Sequence, residues 1–125
     1  MKEQLNLDWA NLPFGYVRTD YNVRCYYRDG KWGDIEVTDS ERIDIHMAAT
    51  SLHYGQEIFE GMKAFRGADG KVRVFRMQEN AKRIRESALG LKMAPVPEDL
   101  FCEMVKKVVK LNERFVPPYG SGASL

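Results

Sequence analysis

Residues Gly61–Met93 read GMKAFRGADGKVRVFRMQENAKRIRESALGLKM, and the hydrophobic period changes inside them. Ala64 and Phe65 lead into Gly67-Ala68-Asp69-Gly70. Val72 and Val74 follow, alternating with Arg73 and Phe75, the period of two that marks a strand. Gly61 to Arg76 is therefore expected to form two antiparallel strands around a glycine-bearing turn. Beyond Arg76 the spacing lengthens: Ile84, Ala88 and Leu91 share one face of a helix, on which Glu79 and Arg83 are spaced to pair. Gly90 weakens its end and Pro95 prevents its continuation.

The next element outward is a second helix. Pro97 suits its first position, and Glu98 and Asp99 suit the positive end of its dipole. Leu100, Phe101, Met104, Val105, Val108, Val109 and Leu111 form an apolar stripe, Lys110 and Arg114 lie near the far end, and Pro117-Pro118 is expected to stop it. On the other side, Val23, Cys25 and Tyr27 alternate with Arg24 and Tyr26. Asp29-Gly30 is a two-residue hairpin signal, with Lys31 to Val37 as the return strand. RIDIHM, with Ile43, Ile45 and Met47 on one face, is expected to add a short strand. Strands first and helices afterwards give an α+β class: a mostly antiparallel sheet with two main helices packed on one face.

The length of 125 residues corresponds to one domain, spanning 1–125, with enough surface to bury a sizeable core. Its ending, YGSGASL, has the look of a loop entering a further strand at Ala123-Ser124-Leu125, so the domain is expected to be incomplete at its C-terminal end. Lys and Arg total 19 against 18 Asp and Glu, a balance that argues against a bulk-electrostatic nucleic-acid binder. No apolar run reaches membrane-spanning length and the first fifteen residues lack a signal-type apolar core, so a cytoplasmic location is expected. Cys25 and Cys102 are read as reduced thiols.

The residues offer few nucleophile or metal patterns. His46 and His53 have no partner at a known ligand spacing, so no metal site is expected, and His53 is read as a structural hydrogen-bonding residue. Lys63 is read as a structural residue within a strand. Arg76, Lys82, Arg83 and Arg85 form a basic cluster whose ordinary role is a solvated face, although an arginine fork also suits phosphate. Phe14, Tyr54 and Phe59 stand among glycines and turn residues, where aromatics either pack in the core or wall a pocket. Ser51 to Gln56 is expected to be a turn that presents Tyr54, with Phe59 to Phe65 entering a strand.

The ordered combination of HYG, FEGMKAF, a hairpin, FR and an N-x-x-R helix, with LPFG before it and VPPYGSGASL after it, resembles the N-terminal part of the branched-chain amino-acid aminotransferases. These are fold-type IV enzymes that use pyridoxal phosphate (PLP) and work as homodimers. The resemblance runs from about Leu12 to Leu125. It implies that Arg83 binds the cofactor phosphate, that Phe14 and Phe59 line the pocket for an aliphatic side chain, and that Tyr54 closes the pocket of the neighbouring subunit. Gly61 is implied to keep the backbone close to that pocket. It implies no catalytic residue in this chain, because the Schiff-base lysine is expected in a following domain. The implied reaction is transamination of leucine, isoleucine or valine with 2-oxoglutarate. The alternatives are another fold-type IV enzyme, such as a D-amino-acid aminotransferase or aminodeoxychorismate lyase, or a non-catalytic dimerisation or scaffold role for the chain alone.

Overall fold

A computed structural model describes Glu3 and residues 5–125. The elements run β1 (Asn22–Arg24), β2 (Tyr27–Arg28), β3 (Lys31–Trp32), β4 (Glu36–Thr38), α1 (Thr50–Tyr54), β5 (Ala64–Arg66), β6 (Val72–Val74), α2 (Met77–Gly90) and α3 (Glu98–Leu111). The class is α+β. The strands form three short antiparallel ladders, β1 with β4, β2 with β3 and β5 with β6. Helices α2 and α3 pack on each other, and α3 packs on β1.

Both hairpins form at the expected turns. Asp29 and Gly30 take φ of 53° and 78°, and Tyr27 pairs with Trp32 across them. Positive φ at both central residues suits a primed turn, whose twist matches the flanking strands. The interrupted ladder resumes with Val23 opposite Val37. Trp32 meets Tyr27 edge-on at 5.3 Å and donates its indole N–H to the Pro95 carbonyl at 3.0 Å, which ties the hairpin to the α2–α3 connection. In the other hairpin Gly70 N–H donates to Gly67 O at 2.9 Å, and Gly67 N–H donates to Lys71 O at 2.8 Å. A Cβ on Gly67 would lie 2.7 Å from the Arg73 guanidinium and 2.8 Å from the Asp69 carboxylate. The glycine thus leaves room for the Asp69–Arg73 ion pair that clasps the loop.

Ala64 and Leu125 exchange two backbone hydrogen bonds, of 2.7 and 3.2 Å. That exchange is the signature of an antiparallel pair. Leu125 therefore lies along the outer edge of β5, although Ala123 to Leu125 do not themselves form the expected strand.

Several local expectations fail. RIDIHM forms no strand; at its start the Arg42 carbonyl accepts a hydrogen bond from the Arg24 side chain. Ser51 to Gln56 is largely helix, Thr50–Tyr54, closed by Gly55 in the left-handed conformation. The strand expected from Phe59, with Lys63 inside it, begins only at Ala64. Leu91 lies just outside α2. Pro97 caps α3 rather than opening it, and α3 stops at Leu111, well before the two prolines.

The cause of that early stop is Asn112, which is only 3% exposed. Its side-chain oxygen accepts the N–H groups of Asp20 and Tyr21, both at 3.0 Å, and its amide donates to Tyr21 O and Val108 O at 2.9 and 2.8 Å. Beside it Arg114 grips Asp20 through two hydrogen bonds of 2.6 Å. The end of α3 is thereby stapled to the start of the first hairpin.

The expected sizeable core is replaced by a shallow one. Among the described residues the buried apolar side chains are Ala64, Ala81, Ala88, Phe115, Val116 and Pro117. The accessible surface is 9590 Å², whereas a compact monomer of 14.4 kDa exposes about 6,800 Å² by surface scaling. Three separate two-stranded ladders cannot cover two helices as one broad sheet would.

Candidate functional site

The site grows from the junction of β6 and α2. Val74 ends the strand, and Arg76 turns the chain into the helix with φ of 50°. A non-glycine residue in the left-handed region stores backbone strain of about 1 kcal/mol. That turn sets Phe75 and Arg76 beside the first turns of α2. Together with Glu79, Asn80, Lys82, Arg83 and Glu86 they line an open cleft of about 500 Å³.

Within the cleft Arg83 does not take the helical partner its spacing suggested. Glu79 pairs with Arg76 at 3.7 Å, and Arg83 pairs with Glu60, from the segment before β5. Arg83 Nε lies 3.0 Å from each Glu60 carboxylate oxygen, and Nη2 donates to Oε1. Asn80, one helical turn before Arg83, donates to Glu60 Oε1 at 3.1 Å and to the Gly61 carbonyl at 3.2 Å. Side-chain exposure is unequal, 5% for Glu60 and 67% for Arg83. Hydrogen bonding from Arg83 holds the Glu60 carboxyl below its ordinary value, against the opposing effect of burial and with help from Asn80. The same contact raises the already high value of Arg83.

The structure thus joins Arg83 to the Phe59-Glu60-Gly61 segment. Glu60 turns inward to α2 while Phe59 beside it stands exposed, and nothing lies within 4 Å of a Cβ built on Gly61. Phe14 and Tyr54 are also exposed, and among the described residues no hydrogen bond or ring contact links either to Arg83. Glu60 and Asn80 were absent from the expected site. For Asn80 a signal lay in the sequence, since Asn80 and Arg83 stand at i and i+3, a spacing that places two donors on one helical face; for Glu60, 23 positions from Arg83, none did.

Chemically, the cleft presents Arg76, Lys82 and the unengaged end of Arg83, donors of the kind that suit a phosphate group, beside the carboxylates of Glu86 and of Glu79, which is paired with Arg76. The two histidines are spent locally: His53 Nε2 lies 2.5 Å from Met47 O, and His46 Nδ1 accepts the Ala48 N–H. Among the described residues no cluster of three metal-ligating side chains forms, both cysteines are free, and no helix is long and apolar enough to cross a membrane.

No protein-family model matches the chain. Individual proteins do. It is 47% identical over 120 residues to a branched-chain-amino-acid aminotransferase of Haemophilus influenzae, and 42% identical over 120 residues to that of Helicobacter pylori. It is 40% identical over 123 residues to the branched-chain-amino-acid aminotransferase 5, chloroplastic, of Arabidopsis thaliana. These matches take in 96%, 96% and 97% of this chain but 35%, 35% and 29% of the relatives, so the chain spans about a third of their length. Across nearly all of its own residues, the chain is similar to branched-chain-amino-acid aminotransferases.

Proposed function

We propose that this chain forms one wall of the cofactor and substrate pocket of a PLP-dependent aminotransferase. The enzyme moves the amino group of leucine, isoleucine or valine to 2-oxoglutarate. The chain is its N-terminal small domain, the lysine that carries PLP lies in a following domain, and the working unit is a homodimer in the cytoplasm. The observation that carries this reading is the 47% identity over 120 residues to an aminotransferase of that name. The cleft that gathers Arg76, Lys82 and Arg83 supports it independently.

In this reading PLP supplies the electron-withdrawing ring and carries the amino group between the two half-reactions. The protein residues do the holding. Arg83, aided by Lys82 and Arg76, offers N–H donors and charge to the phosphate. Such charge-assisted bonds are the strong ones for a group drawn partly out of water. Phe14 and Phe59 give the aliphatic side chain an apolar wall, and burying a leucine-sized group contributes about 1.5–3 kcal/mol. Tyr54 serves the pocket of the neighbouring subunit. The bare backbone at Gly61 lets a ligand approach closely.

The test is Arg83→Ala in the full-length protein. Its dissociation constant for PLP, measured by equilibrium dialysis, is expected to rise at least tenfold while binding of pyridoxal, which lacks the phosphate, stays unchanged. A variant that holds PLP as tightly as the wild type overturns the role of Arg83.

A further inference from the structure

We infer that Glu60 is a positioning residue for anion binding: its carboxylate, itself held by Asn80, fixes the Arg83 guanidinium so that the remaining donors are presented to a phosphate. The inference rests on the reading of Arg83 as the phosphate arginine and goes beyond it.

An arginine on a helix surface has several rotatable bonds, and a ligand that recruits it must first stop their motion. Here part of that ordering is already done. Glu60 takes the side of the guanidinium formed by Nε and Nη2. Two of five N–H donors are engaged, and the end of the group at Nη1 remains available. The anchoring carboxylate is fixed in its turn. Its side chain is 5% exposed, one oxygen receives the Asn80 amide, and that same amide holds the adjoining Gly61 carbonyl. Burial and a neutral donor thus immobilise Glu60, whereas Arg83 remains 67% exposed toward the cleft.

A carboxylate near a phosphate also repels it, so the sign of the effect separates two roles. If Glu60 positions Arg83, its removal weakens phosphate binding; if it only opposes the anion, its removal strengthens binding. The experiment uses the full-length protein with PLP and pyridoxal as paired probes, read by equilibrium dialysis. Glu60→Gln is expected to weaken PLP binding about tenfold and leave pyridoxal unchanged, and Glu60→Asp, which restores the charge on a shorter arm, recovers part of the loss. In an Arg83→Ala background Glu60→Gln is expected to change nothing more.

Equal or tighter PLP binding by Glu60→Gln overturns the inference, as does an equal loss for both probes. If Glu60→Gln fails to fold, Asn80→Ala decides instead. A loss selective for PLP supports positioning, and unchanged PLP binding overturns it. Should Arg83→Ala itself leave PLP binding intact, the underlying reading of Arg83 fails. Should only the Glu60 and Asn80 variants leave it intact, the positioning role alone fails.

Discussion

At the scale of single residues, the charged groups divide by what holds them. Asp69 and Arg73 are near neighbours in sequence on an exposed loop, and Arg73 keeps the Asp69 carboxyl well below the usual carboxylate range. Both side chains stand in water, where such pairs add little to stability. Glu60 and Arg83 are 23 residues apart, and the carboxylate is nearly buried. Because its folded value lies below the ordinary 4.5, the pairing stabilises the fold fully above that value and is lost as pH falls through the folded value. Glu60→Gln is therefore expected to be less stable than wild type at pH 7, with the gap closing on acidification. Urea midpoints of the two proteins at pH 7 and pH 3 check this; a gap constant with pH contradicts it. The local pair was within reach of sequence reading. The distant one was not, since helical spacing favoured Glu79 as the partner of Arg83 and only the path of the chain before β5 decided otherwise.

At the scale of elements, turns were legible and isolated strands were not. Asp29-Gly30 and Gly67–Gly70 form turns because their backbone conformations are a property of the residues themselves. At Gly30, with φ of 78°, nothing lies within 4 Å of the place a Cβ would take, so a side chain there meets strain rather than collision. Gly30→Ala is expected to cost about 1 kcal/mol in chemical denaturation, and Gly15→Ala, where φ is not positive, much less. RIDIHM carries the right alternation but pairs with no neighbouring strand among the described residues. The α3 stripe was legible from its spacing, yet its stopping point was set by Asn112, whose four hydrogen bonds reach back to Asp20, Tyr21 and Val108. No sequence signal marks such a staple, because Asp20 and Tyr21 lie 92 and 91 residues away.

At the scale of the whole molecule, surface area is the informative quantity. The chain exposes 9590 Å² where about 6,800 Å² is usual for its mass, and Phe14, Phe59, Phe75, Tyr16, Tyr54 and Met47 are among the large apolar groups in solvent. Contiguous apolar surface beyond a few hundred Å² marks a face made for contact. The 125-residue chain expressed by itself is expected to self-associate and to bind an apolar dye such as ANS. Light scattering across a dilution series checks the first and dye titration the second; a monodisperse monomer without dye binding contradicts this reading of the surface. The same exposure bears on the candidate site: Phe14, Tyr54 and Phe59 all stand exposed, and among the described residues no ring contact joins them.

The sequence by itself determined the α+β class, the two hairpin turns, the two long helices and the likeness to the branched-chain aminotransferases, because each depends on local conformational preference or on residues read in order. It also singled out Arg83. Tertiary structure alone decided that Arg83 meets Glu60, that Asn112 ends α3 and pins the first hairpin, that Leu125 pairs with Ala64, and that the core is shallow. These outcomes depend on which distant groups the path of the chain brings within hydrogen-bond reach, and on how much surface remains once they have met.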